Sequence, residues 1–137
     1  MAHEKELAAI PLFSRLEGGD LERLGKTVVP RSYATGATIV KEGEQAVAFF
    51  VIVSGKVEVQ KGSKKVGEKR AGESFGEMSL LDGLPRSTTV IAAEDTECLV
   101  MTRWDFTAEL KSNPSIALSM LPELSKIIRR LEGEDVR

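Results

Sequence analysis

Histidine and cysteine are almost missing from this sequence. Its 137 residues hold one of each, His3 and Cys98. A single cysteine excludes a disulfide framework and any cysteine-built metal site within one chain. Set in the apolar run Cys98-Leu99-Val100-Met101, it reads as a small buried hydrophobe. A single histidine, placed near the terminus, excludes a barrel enzyme with several histidine metal ligands. It also excludes a Ser-His-Asp hydrolase unless His3 folds back into a site. Long apolar runs are missing too: no stretch approaches the roughly 18 residues of a membrane helix. Met1 to Glu6 is charged with no apolar run behind it, so no secretory leader is expected. Nor is there an excess of either charge. Lys and Arg number 19 against 21 Asp and Glu, a net charge of -2. That argues against a broad basic surface for nucleic acid. The expectation is a cytoplasmic protein with no nucleic-acid, membrane or metal partner and no catalytic residues.

What is present is ordinary globular composition, with 42% apolar and 29% charged residues. The length suits one compact domain over residues 1–137 with a real core. Its organisation reads as helix, then many short strands, then helix. Residues 3–10 and 20–28 predict short helices, the second capped by Asp20 or Gly19, with Leu21, Leu24 and Val28 on one face. Pro11 and Gly18-Gly19 punctuate the chain between them. From Val29 to Met101, runs rich in Val, Ile, Phe and Thr predict strands at 29–33, 37–41, 48–53, 55–60, 64–69, 88–93 and 97–102. Many short strands at even spacing imply a barrel or jelly roll. The fold class expected is mainly β: a jelly-roll-like β-roll of about eight strands with flanking helices.

Thr102-Arg-Trp-Asp105 resembles a capping box before a helix of about ten residues. Asn113-Pro114 is a second helix start, Asn as cap. The helix after it carries Ala117, Leu121, Leu124, Ile128 and Leu131, four and three apart. That spacing fits packing on the protein's own roll and a homodimer seam equally. Pro122 predicts a kink or a fresh start, and Gly133 a stop. Lys61-Gly-Ser-Lys-Lys65 reads as a solvated hairpin turn, Trp104 as packed on the roll, and one of Phe49 and Phe50 as core.

The informative stretch is Phe75-Gly-Glu-Met-Ser-Leu-Leu-Asp-Gly-Leu-Pro-Arg-Ser-Thr-Thr-Val90. It joins two strands and is far too long for a hairpin turn. Gly76 allows close backbone approach to a ligand. One helical turn at Glu77 to Leu81 would point unpaired N–H groups outward. Pro85 fixes the backbone before Arg86, whose planar fork suits phosphate oxygens. Ser87 and Thr88 add hydroxyls. Glu77 would repel a phosphate but could accept a hydrogen bond from a sugar hydroxyl beside it. A cyclic nucleotide carries its ribose 2′-OH next to its 3′,5′-phosphate. A Glu77–Arg86 ion pair stapling a surface loop fits the spacing as well.

These two runs, Phe75 to Leu80 and Pro85 to Val90, resemble the phosphate-binding cassette of cyclic-nucleotide-binding domains, of the catabolite activator, protein kinase A regulatory subunit and gated-channel type. The likeness extends to Ile10-Pro-Leu-Phe13, Gly36, Glu42-Gly43, Phe50-Val-Ile-Val-Ser-Gly55 and Asn113-Pro114, about residues 10–131. It implies that Glu77 binds the ribose 2′-OH and that Arg86 pairs with the cyclic phosphate. It places the backbone at Gly76, Met78 and Ser79 along the pocket and Ser87 near the phosphate or base. The base would rest on Val59 and Val66. The implied ligand is cyclic AMP or cyclic GMP, bound without chemistry, and no cofactor.

Two departures qualify the likeness. Where bacterial activators offer hydroxyls to adenine, this chain has Glu134 and Asp135, so Arg129 or Arg130 would stack on the purine instead; solvated helix-end charges are the plainer reading of both. After residue 132 there is no room for a helix-turn-helix, which leaves a stand-alone sensor or part of a longer protein. Alternatives of other classes are a roll that acts by protein contacts without nucleotide, a barrel enzyme, and a haem or iron–sulfur sensor. The expected mechanism has the phosphate organise residues 76–88 and move the helix from Pro114 onward, with Pro122 as hinge and an unidentified protein downstream.

Overall fold

A computed structural model describes residues 3–133, with Ser79 by its backbone alone. The chain divides into two compact units, Thr27–Thr107 and a helical unit of Met1–Lys26 with Ala108–Arg137.

The first unit is a β-roll of eight strands: β1 (Val29–Tyr33), β2 (Thr38–Val40), β3 (Ala48–Ser54), β4 (Lys56–Lys61), β5 (Lys64–Arg70), β6 (Ser74–Phe75), β7 (Thr89–Ala92) and β8 (Thr96–Thr102). They form two antiparallel four-stranded sheets in the orders β1-β8-β3-β6 and β2-β7-β4-β5. The mainly-β fold with flanking helices is the one expected, and seven of the strands lie where the apolar runs put them. β6 carries no sequence signal, because two residues cannot display a period.

Alternation puts one set of side chains between the sheets. Ala48, Phe50, Ile52, Phe75, Cys98 and Val100 come from the first sheet and Val40, Val57 and Val90 from the second, with Val59 partly buried against them. Phe50 sits opposite Val100 on one side and Phe75 on the other. The Phe50 and Phe75 rings stack at 4.8 Å between centroids, 8° from parallel. The opposite face of β3 and β8, with Phe49, Val51, Leu99 and Met101, is equally buried. Phe49 is therefore core as well as Phe50, which corrects the expectation of one free ring. Burial pushes the Cys98 thiol up to about 11, with the Glu97 charge adding to it. Gly62 and Ser63 form the two-residue turn between β4 and β5, as expected.

Helix α3 (Glu77–Asp82) lies between β6 and β7, and α4 (Arg103–Ser112) follows β8. The Asp105 N–H donates to Thr102 Oγ1 at 3.2 Å, which is the forward half of the expected box. Trp104 is 60% exposed and does not pack on the roll. As the second residue of a helix whose Phe106 is buried, it falls on the outward side.

The helical unit contains α1 (Glu4–Ala8), a 3-10 turn at Pro11–Phe13, α2 (Gly18–Gly25) and α5 (Ser115–Leu131). The glycine pair opens α2 rather than breaking the chain, and Glu17 precedes it as cap residue. Asp20 lies inside that helix. Its carboxylate accepts from Arg23 Nη1 at 2.8 Å and from the Ser115 hydroxyl at 2.7 Å, so it cannot serve as the cap. Val28 lies past the end of α2.

α5 runs through Pro122 as one helix and is capped by Pro114, not by Asn113. The residues it buries are Ile116, Met120 and Glu123. The helix packs on the 3-10 turn. Leu121, Ile128 and Leu131 are exposed. The sequence therefore carried two apolar stripes one residue apart, and the inner one is the stripe that period alone did not select. Arg15 Nε donates to Glu123 Oε2 at 2.6 Å and holds that carboxyl below its usual range. Among the described residues, no helix is long and apolar enough to cross a membrane.

Candidate functional site

The connection from β6 to β7 crosses from one sheet to the other, and the site is built at that crossing. Gly76 turns the chain out of β6 with φ +88°. A Cβ there would lie 2.6 Å from Arg86 Nη1 and 3.0 Å from the Ala48 carbonyl oxygen. Only glycine gives both the backbone angle and the room. α3 follows at once, with Glu77 as its first residue.

Arg86 is held from three sides. Nη2 donates to the Ala48 carbonyl at 2.5 Å. The guanidinium carbon stands 5.8 Å from the centre of the Phe50 ring, within cation–π range. Its backbone is clipped to the β2–β3 loop: Arg86 N–H donates to Glu44 O and Gly43 N–H donates to Arg86 O, both at 2.8 Å. The same loop reaches the ends of the cassette. Gln45 Nε2 donates to Gly83 O at 2.9 Å, and the Glu42 N–H donates to Thr89 Oγ1 at 3.0 Å. Burial pulls the Arg86 guanidinium below its ordinary pKa.

These elements enclose a cavity of about 360 Å³. Gly76, Glu77, Met78, Arg86, Ser87 and Thr88 line it together. So do Val40, Phe75, Asp82, Leu84, Pro85 and Val90. The volume is within the range of small-molecule sites, roughly 300–1,000 Å³. Chemically, the walls pair one guanidinium with two carboxylates, Glu77 and Asp82, two hydroxyls and an apolar floor. Ser79 belongs to α3, and its side chain lies outside the described residues.

The base-binding expectations are less well gathered. Val59 is half-buried against the inter-sheet core, and Val66 on β5 is 55% exposed. Neither lines the cavity. Arg129 and Arg130 stand exposed on the last turn of α5, in the helical unit. Glu134 and Asp135 lie outside the described residues.

The residues that pure sequence reading missed are Ala48, Val40 and Val90. Val40 and Val90 are register partners across β2 and β7. Their place at the floor follows from strand pairing, and Ala48 acts through its carbonyl, which any residue has. Among the described residues, no group of His, Cys, Asp or Glu is arranged to hold a metal ion.

Comparison with known proteins places this geometry in a class. The model of the cyclic nucleotide-binding domain matches residues 30–113. The chain belongs to the cyclic-nucleotide-binding domain family. A cAMP-dependent protein kinase regulatory subunit of Mycosarcoma maydis is 37% identical over 99 residues, covering 69% of this chain and 19% of that protein. A cyclic nucleotide-gated potassium channel of Rhizobium etli is 40% identical over 111 residues, 81% of this chain and 31% of that one. The cyclic AMP receptor protein of Thermus thermophilus is 32% identical over 130 residues, 90% and 60%. The chain thus spans from about a fifth to three fifths of these relatives.

Among solved structures, Thermus thermophilus catabolite activator protein superposes with a TM-score of 0.74 at 31% identity, covering 89% of this chain and 60% of that one. The N-terminal domain of a transcriptional regulator from Streptomyces coelicolor A3(2) gives 0.86 at 24% identity, covering 96% and 99%, a likeness of fold alone.

Proposed function

We propose that the whole chain acts as one cyclic-mononucleotide sensor in the cytoplasm, with cyclic AMP as ligand, and performs no chemistry on it. The observation that supports this most is the meeting of Arg86 and Glu77, from opposite ends of the β6–β7 connection, in one cavity, with Gly76 pressed against the guanidinium. Arg86 takes the cyclic phosphate. The planar fork offers several parallel N–H donors, and an anion reverses the penalty that burial places on its charge. Glu77 accepts from the ribose 2′-OH. The backbone at Gly76, Met78 and Ser79 and the hydroxyls of Ser87 and Thr88 complete the sugar-phosphate contacts. The purine rests on Val59 and Val66.

The signal leaves through α5. Its exposed stripe of Leu121, Ile128 and Leu131 offers a seam to a second copy, which makes a homodimer the assembly to look for by sedimentation. Ligand shifts the helix only by its difference in affinity for the two arrangements. Hydrogen exchange of residues 114–132 changes at saturating ligand if this route operates; unchanged protection would defeat it.

Isothermal titration with cyclic AMP, cyclic GMP and 5′-AMP tests the ligand itself. Micromolar or tighter binding of cyclic AMP, with none of 5′-AMP, is expected. No heat with either cyclic nucleotide, repeated after unfolding and refolding to strip carried-over ligand, would point to a module acting by protein contacts.

A further inference from the structure

Behind the cavity, three residues before Arg86, the connection makes a second close contact. Gly83 leaves α3 with φ +68°. A Cβ at that position would lie 2.7 Å from Arg103 Cζ and 2.8 Å from Arg103 Nε. The guanidinium therefore packs directly on the Gly83 backbone, with no side chain between. On the other side, Gln45 Nε2 holds the Gly83 carbonyl. Arg103 is itself fixed at its root, where its N–H donates to Val47 O at 2.9 Å. Its Nε is buried and has no hydrogen-bond partner among the described residues. A buried N–H without an acceptor on the protein marks an arrangement that is not the most favourable one for that side chain.

Arg103 does not line the cavity. It is the first residue of α4. Gly83 and Arg86 are joined through Leu84 and the stiff ring of Pro85, so a shift of Arg86 onto a ligand phosphate carries Gly83 with it. Because the guanidinium lies on bare backbone, that shift is felt at Arg103 without slack.

We propose that Arg103 is a positioning residue through which occupancy of the cavity reaches the first turn of α4. The proposal rests on the cyclic-nucleotide reading of the cavity. It names Gly83 as the point of contact and Gln45 as the opposing grip.

The chain carries its own probe for this step. Trp104, the only tryptophan, is the next residue and is exposed. The full chain is titrated with cyclic AMP while both heat and Trp104 emission are followed, as wild type, Arg103→Met and Gly83→Asn. Methionine keeps the apolar stem of arginine. Asparagine tolerates the left-handed backbone but places a Cβ where the guanidinium lies.

The wild type is expected to give heat and a change in emission with the same midpoint. Both variants are expected to lose most of the emission change at saturating ligand and to bind about tenfold more weakly, within the span of such coupling effects. The ligand-free melting temperature of Arg103→Met should stay at the wild-type value. Together the two changes should cost no more affinity than either alone, since they break one contact. Either variant retaining the full emission change and wild-type affinity would overturn the proposal. So would heat in the wild type without any change at Trp104. No heat in the wild type would instead bring down the ligand reading, and this proposal with it.

Discussion

The two sheets of the roll are built to different standards. In the first, the central strands β3 and β8 are buried on both faces: Phe50, Ile52, Cys98 and Val100 look inward, and Phe49, Val51, Leu99 and Met101 look the other way. In the second, β4 and β7 bury one face, and β5 buries no residue fully. The ligand cavity straddles the two. Arg86 leans on the first sheet through Ala48 O and the Phe50 ring, while the connection that carries it ends on β7 of the second. A doubly buried sheet cannot shift without breaking close packing on two sides. A sheet with one open face can. The geometry thus pairs a fixed reference with an adjustable wall, and ligand-driven change should appear in the second sheet and the cassette.

The largest effect that sharpens this contrast is Phe49→Ala. Truncating a fully buried ring on the first sheet should cost about 3–5 kcal/mol of unfolding free energy. Urea denaturation followed by circular dichroism measures it. A loss as small as that of an exposed residue would mean that the outer face of β3 is not a core.

Next comes Arg86→Ala, which acts on function. It should weaken cyclic AMP binding by about 2–5 kcal/mol, the cost of leaving a buried charge without its partner. Glu77→Ala should cost less, because a neutral hydroxyl loses only one hydrogen bond. Titration calorimetry ranks the two. Equal or trivial losses would show that the phosphate and ribose subsites are misassigned.

Cys98 gives a smaller, kinetic signal. Its thiol lies inside the first sheet, and burial keeps it protonated at neutral pH. An alkylating reagent should leave it unmodified in the native protein, with or without ligand, and label it once urea unfolds the chain. Native labelling would break the picture of the first sheet as fixed.

How much of this was legible beforehand follows from what each element displays. Val, Ile and Phe in alternation announce strands wherever five or more residues repeat the pattern, and the run from Phe75 to Val90 announces the cassette by residue type. β6 is too short for a pattern. The glycine pair at 18–19 reads as a breaker because propensity is local, yet the pair occupies the first turn of α2, where helical N–H groups have no intrahelical partner and glycine costs least. The buried stripe of α5 was missed because Ile116, Met120 and Glu123 and the neighbouring leucines obey the same period. Only packing on the 3-10 turn distinguishes them, and the Arg15 partner that makes Glu123 a tolerable buried residue is 108 positions away. The grip on Gly83 was equally hidden, since Gln45 and Arg103 are ordinary residues until the fold brings them to one glycine.

The smallest expected effect is also the most discriminating for the second sheet. Val66 is 55% exposed on β5 and is proposed to carry the base. As an exposed residue outside the core cluster, Val66→Ala should change stability by no more than about 0.5 kcal/mol. If the purine covers it, the lost methyl groups should weaken cyclic AMP by about 1 kcal/mol, the scale for burying one or two carbons. Stability unchanged with affinity reduced would assign β5 to the ligand. Both unchanged would remove β5 from the base site, and the second sheet would then contribute only the floor at Val40 and Val90. A stability loss approaching that of Phe49→Ala would instead erase the difference between the sheets on which the adjustable wall depends.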